Sequence, residues 1–111
     1  MFEMDHVAVA SDDIARDVAF YAENFDAQIL YQDATWAFLQ MGQGKLALVT
    51  PTQHPPHVAL RVDEATLQTF AARENMPIDT HRDGTKGIYI RDLQGHAVEL
   101  ICYPPGQTLY A

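Results

Sequence analysis

The feature that most constrains this chain is an internal repeat. Shifted by 51 positions, the sequence matches itself at eight places without a gap: His6-Val7-Ala8 on His57-Val58-Ala59, Asp12 on Asp63, Glu23-Asn24 on Glu74-Asn75, and Gln43-Gly44 on Gln94-Gly95. Chance gives about three such matches at ordinary composition, so the pattern around them carries more weight than the count. Each half opens with an apolar run, 6–10 and 57–62, that ends where an acidic side chain can cap a helix. In the first half Ser11 or Asp12 is the expected cap, with Ile14, Val18, Tyr21 and Phe25 at helical intervals. In the second, Asp63 precedes Leu67, Phe70 and Ala71. Asn24 and Asn75 fall near the two helix ends, where asparagine tolerates a left-handed turn. Three strand candidates follow in each half: 27–31, 35–41 and 45–50, then 78–81, 87–91 and 97–103. Gly42 and Gly44 mark the first hairpin and Gly95 the second.

Proline excludes helix and central strand from the segment PTQHPP. The expected organisation is therefore module one at 1–50, a linker at 51–56, module two at 57–103 and a tail at 104–111. One such module is too small to cover both faces of its own sheet. Two are expected to combine into an α+β fold: two βαβββ modules forming a curved mixed sheet, helices outside and the concave face as pocket.

Composition narrows the class. The 111 residues carry 7 basic and 15 acidic side chains, a formal net charge of −8. Such a surface repels phosphate backbones and anionic membranes, so neither nucleic acid nor a membrane is an expected partner. A single cysteine, Cys102, cannot form an internal disulfide and fits a reducing compartment. No apolar run approaches the roughly 20 residues that span a bilayer. The opening MFEMDH lacks the regions of a signal peptide. A cytoplasmic location is expected.

The repeat also places side chains that bear chemistry. His6 and His57 occupy equivalent positions at the start of the first strand of each half. Glu99 stands inside the apolar run Ala97-Val98-Glu99-Leu100-Ile101, where a carboxylate is costly unless paired or bound to a cation. Under the 51-residue shift its counterpart is Leu48. Of the four related positions, His6, Leu48, His57 and Glu99, three are metal-ligand types. Two histidines and one carboxylate with open positions suit Fe2+ or Mn2+, and are compatible with Zn2+ or Ni2+. Tyr89 shares a strand face with Gly87 and Arg91. Trp36 and Phe38 match Gly87 and Tyr89 under the repeat and are expected to line the pocket. Tyr103 lies on the face of Glu99 if the strand continues. Lys86 and Arg91 are the basic side chains expected near the mouth. Other catalytic arrangements are missing: Gly42-Gln43-Gly44 precedes a strand rather than a helix, and Ser11, the only serine, reads as a cap.

The stretches DHVAVASDDIARDVAFYAENF, PHVALRV and DLQGHAVELICY resemble the vicinal oxygen chelate superfamily, which includes glyoxalase I, extradiol dioxygenases, fosfomycin-resistance transferases and bleomycin-resistance proteins. The resemblance implies a divalent-metal-dependent enzyme acting on a small vicinally oxygenated molecule, with His6, His57 and Glu99 as ligands. Leu48 stands where glyoxalase I would supply a fourth. The run His81, Tyr89, Asp92, Gly95, Glu99 is similar to the extradiol dioxygenase signature, although Leu93 replaces its proline and Asp79 departs from the pattern. That implies catalytic roles for Tyr89 and His81; by their strand positions Trp36, Phe38, Arg91 and Tyr103 are the expected substrate contacts. A glyoxalase-type lyase or isomerase and a non-catalytic antibiotic-binding protein are the alternatives. The short linker favours a homodimer with exchanged modules, in which His6 joins His57 and Glu99 of a partner.

Overall fold

The computed structural model describes residues 2–105; the last six residues of the expected tail lie outside that range. Ten elements follow the expected order: β1 (Glu3–Ala10), α1 (Ile14–Phe25), β2 (Gln28–Gln32), β3 (Trp36–Met41), β4 (Gly44–Val49), β5 (His57–Arg61), α2 (Glu64–Glu74), β6 (Asp79–Thr80), β7 (Lys86–Arg91) and β8 (Ala97–Cys102). Two helices and eight strands of mixed direction make an α+β fold whose strand order does not close. The chain divides into two compact units. One runs from Asp5 to Val58; the other takes in the N-terminal end of β1 through Met4 and the chain from Ala59 onward. Among the described residues no helix is long and apolar enough to cross a membrane.

In the first unit the strands run β2-β3-β4-β1, with β1 parallel to β4 and the other pairs antiparallel. Helix α1 is capped by Asp13, one or two residues later than the sequence suggests, because the Asp13 carboxylate accepts the Arg16 N–H. Ser11 instead accepts the Asp13 N–H through its hydroxyl. The left-handed residue closing α1 is Asp26, not Asn24, whose amide bonds back to the Phe20 carbonyl inside the helix. Ile14 and Val18 pack on Ala27, Ala37, Leu39 and Leu48. The tight turn into β3 is held by Asp33, which accepts from the Tyr31 hydroxyl at 2.6 Å and from the Thr35 and Trp36 N–H groups at 2.8 and 3.0 Å. The Tyr31 hydrogen bond, followed by those from Thr35 and Trp36, holds its carboxyl well below the usual carboxylate range.

The second unit repeats the plan as β5-β8-β7-β6, with β6, β7 and β8 antiparallel. Asp63 caps α2 and Asn75 ends it in the left-handed conformation, both as expected. Val62, Leu67, Ala71, Ile88, Leu100 and Cys102 form its core. Burial pushes the Cys102 thiol up, which disfavours the thiolate.

The two halves differ by one residue where it matters. Four residues separate Gln40 from its partner Lys45, whereas five separate Arg91 from Ala97. The ungapped repeat pairs Leu48 with Glu99, but cross-strand pairing sets Phe38 opposite Ala47 and Tyr89 opposite Glu99. Side chains alternate along a strand, so a slip of one residue reverses the face. Leu48 is 1% exposed in the α1 core. The structural counterpart of Glu99 is thus Ala47, which corrects the Leu48 reading.

Two outcomes follow from this packing. Leu48→Glu loses leucine packing that alone is about 2–5 kcal/mol, and adds an uncompensated buried charge; circular dichroism should show no cooperative unfolding transition. A normally folded variant would contradict the register. For Asp33, the folded-state carboxyl lies below its unfolded value, so its stabilisation is present above the ordinary carboxylate range and lost as pH falls below about 4. Asp33→Ala should lower the unfolding midpoint at neutral pH and shrink the loss that the parent shows on acidification between those limits. Parallel acid-unfolding curves for the two chains would refute that assignment.

Candidate metal centre

His6 lies on β1 with Ala8 on the face turned from α1, while Val9 packs into the α1 core. His57 opens β5, and the two rings belong to the same compact unit. Their Nε2 atoms lie 3.2 Å apart. Each Nδ1 is engaged by an oxygen. His6 Nδ1 lies 2.6 Å from Asp5 Oδ2, and the Asp5 side chain is fully buried. His57 Nδ1 lies 2.7 Å from the Pro55 carbonyl oxygen, so the end of the proline linker orients the ring.

These contacts decide the tautomers. A carbonyl oxygen and a carboxylate only accept, so both Nδ1 atoms donate and, in the neutral rings, both Nε2 atoms bear lone pairs. Two lone pairs across 3.2 Å repel, and a shared proton or a bound cation relieves that repulsion. Nδ1 anchored to a carboxylate or a backbone carbonyl is also the usual support of a metal-ligating histidine. Donors bonded at roughly 2.0–2.1 Å to one ion stand about 3 Å apart, so the separation fits. The residues present therefore fit a divalent cation. The Phe38 ring meets the His6 ring edge-to-face, with centroids 5.2 Å apart, and fixes its tilt.

Glu99 lies in the second unit, 4% exposed, on the face of β8 opposite Leu100 and α2. Tyr89 is directly across from it on β7. Burial, followed by the Glu99 and Asp79 charges, raises the Tyr89 hydroxyl well above its ordinary value, so it stays a neutral hydrogen-bond donor. His81 is half-buried beside them, with Nε2 4.0 Å from Glu99 Oε2. Gly87 makes this approach possible: a Cβ there would lie 3.0 Å from the Leu100 carbonyl oxygen, 3.2 Å from Glu99 Oε2 and 3.5 Å from His81 Cε1.

The remaining candidates divide by strand face. Trp36 is half-buried and stacked on Tyr31 at 4.7 Å, with Phe38 beside it at 6.0 Å. Tyr103 lies beneath the Arg61 guanidinium, 4.3 Å from carbon to ring centroid. Arg91 is exposed and donates to the Gly95 carbonyl, closing its own hairpin. Lys86 alternates to the helix side and pairs with Glu64 of α2 at 2.7 Å, so it does not belong to the mouth. Besides Arg91, which shares the face of Tyr89, basic residues on strand faces with site residues are Lys45, two positions before Ala47, and Arg61, four after His57. Period-two counting from Ala47 and His57 would have found both.

Residues 3–100 match the model of the Glyoxalase/Bleomycin resistance protein/Dioxygenase superfamily, and the chain belongs to that superfamily. No curated protein matches it. Among solved structures it is similar to a hypothetical protein from Bacillus halodurans, with TM-score 0.75 and 16% identity over 96% of this chain and 98% of the other. Methylmalonyl-CoA epimerase from Mycobacterium tuberculosis superposes with TM-score 0.74 and 15% identity over 92% and 88% of the two chains. A glyoxalase/bleomycin resistance protein/dioxygenase superfamily member from Vibrio splendidus gives 0.69 and 10% over 92% and 99%. At such identities the likeness is one of fold.

The crowding at Gly87 has a measurable consequence. Gly87→Ala forces a methyl against a backbone oxygen and the Glu99 carboxylate, which should cost about 1–3 kcal/mol. Thermal unfolding of the two proteins measures it, and an unchanged midpoint would mean the strands separate without strain.

Proposed function

We propose that this chain is a divalent-metal-dependent enzyme acting on a small molecule with two neighbouring oxygens, and that His6, His57 and Glu99 each give one donor atom to the ion. The observation that carries the reading is the His6–His57 pair, with both Nδ1 atoms tied to acceptors and both Nε2 atoms 3.2 Å apart. Fe2+ or Mn2+ is favoured by the two-histidine, one-carboxylate set, with Zn2+ or Ni2+ the alternatives. When bound, the ion supplies a Lewis acid that holds both substrate oxygens and stabilises negative charge developing on them.

The chain's own groups supply the rest. Phe38 and Trp36 offer flat apolar surface to a planar substrate body. Tyr89, kept neutral, donates a hydrogen bond to a substrate oxygen. His81 stands beside Glu99 to accept the proton that a substrate hydroxyl must lose. Oxygen-dependent cleavage of a catechol-like ring is the sharpest version of this reading, and the grouping of His81, Tyr89 and Glu99 in one unit favours it. A glyoxalase-type lyase is the second reading. Ala47 opposite Phe38 weighs against its four-ligand form, since alanine offers no donor at the position that mirrors Glu99.

Elemental analysis of protein purified without chelator or affinity-metal resin tests the reading. About one ion per chain is expected on the proposed single site, with sharp loss in both His57→Ala and Glu99→Ala while circular dichroism stays that of a folded chain. Failure of the parent to bind metal after reconstitution would overturn it. Oxygen uptake with catechols then separates the dioxygenase from the lyase, which consumes none.

A further inference from the structure

The corner between β6 and β7 holds His81 in a way that its exposure alone does not require. His81 N–H donates to the Thr85 carbonyl at 2.8 Å, and Gly84 N–H donates back to the His81 carbonyl at 3.0 Å, with Gly84 at φ +88°. Inside this turn Thr85 is 2% exposed. Its hydroxyl oxygen lies 2.8 Å from His81 Nδ1 and 2.7 Å from Asp83 Oδ1, and its N–H donates to the same Asp83 oxygen at 2.9 Å.

A hydroxyl has one proton to give. Were it donated to His81, the hydroxyl oxygen and the Asp83 carboxylate oxygen would face each other across 2.7 Å with no hydrogen between them. Donation to the carboxylate removes that repulsion and gives a charge-assisted bond. The hydroxyl oxygen must then accept from His81, so the proton of the neutral ring sits on Nδ1 and the lone pair on Nε2. Nε2 is the atom 4.0 Å from Glu99 Oε2.

We propose that Asp83 and Thr85 are positioning residues that lock His81 in the Nδ1–H tautomer, leaving Nε2 as the proton acceptor on the side of Glu99. The catalytic meaning of this lock rests on the function proposed above; the lock itself does not. Free imidazole side chains populate both tautomers, and which nitrogen carries the proton is set by the bond the other makes. The Asp83–Thr85 pair makes that choice before any substrate arrives, and it does so within a five-residue turn.

Multiple-bond proton–nitrogen NMR of the metal-free chain, at a pH above the ordinary histidine range, reads the tautomer directly. The parent should show His81 as a single Nδ1–H form. Thr85→Val, which keeps the side-chain shape, should show loss of that signature, and Thr85→Ser should restore it. Asp83→Ala serves as a second variant in case the buried valine disturbs folding: with the acceptor removed, the hydroxyl is released to donate to Nδ1, and the Nε2–H form should rise. A His81 signature unchanged in Thr85→Val and Asp83→Ala would overturn the proposal. In the metal-loaded enzyme, Thr85→Val should lower kcat about tenfold at unchanged metal content, the size typical of losing an outer partner. A chain that binds no metal yet shows the tautomer shift would sink the proposed function and leave the lock standing.

Discussion

Side-chain alternation along the strands separates packing from chemistry in this chain. In the first unit Ala37, Leu39, Leu46 and Leu48 turn to α1, and the intervening Phe38 and Ala47 turn away from it, as His6 does on β1. In the second, Ile88, Ile90, Leu100 and Cys102 turn to α2, leaving Gly87, Tyr89 and Glu99 on the other side. The two core clusters packed on the helices include no candidate ligand. A core built on one face frees the other for buried polar groups, provided each finds partners. Among the described residues no buried side-chain nitrogen or oxygen lacks one. Burial of Asp5 and Thr85 makes sense in those terms, since each orients an imidazole rather than filling space.

Much of this was legible in the sequence. The duplicated βαβββ order, the Asp63 cap and the Asn75 end all rest on local signals. Residues that are not repeated were harder to read. Ser11 and Asp12 are the expected caps, and Asp13 serves instead because its oxygen is the one that reaches the Arg16 N–H. The orientation of Lys86 depends on a glutamate 22 positions away. The role of Asp5 was invisible because an acidic neighbour of a histidine usually faces the opposite side of a strand. The register of β4 failed for a clear reason: matching glycines, Gly44 and Gly95, anchor the repeat, yet the glycine with positive φ in the first hairpin is Gly42. Sequence identity aligned the letters while the backbone turned elsewhere.

The superfamily to which the chain belongs hosts several reactions on one fold, so the site has to carry the functional argument. Donor chemistry and hydrogen-bond direction define that site. Oxygens that can only accept fix the protons on two imidazoles, and a neutral phenol and a third imidazole stand beside a buried carboxylate. Those are the groups on which the proposed handling of an oxygenated substrate rests.

The extra residue in the second hairpin has a consequence for how such a chain diverges. Residues 91–96 are all exposed, and their side chains tolerate exchange. Their number is another matter. Deleting one would turn Glu99 towards α2 and bring an apolar neighbour to the face where the carboxylate now stands. After a duplication, lengthening a turn can therefore move a reactive group from one side of a sheet to the other with no substitution in the strand. Two halves of common origin then become chemically unequal through an insertion at the surface, far from the groups it repositions.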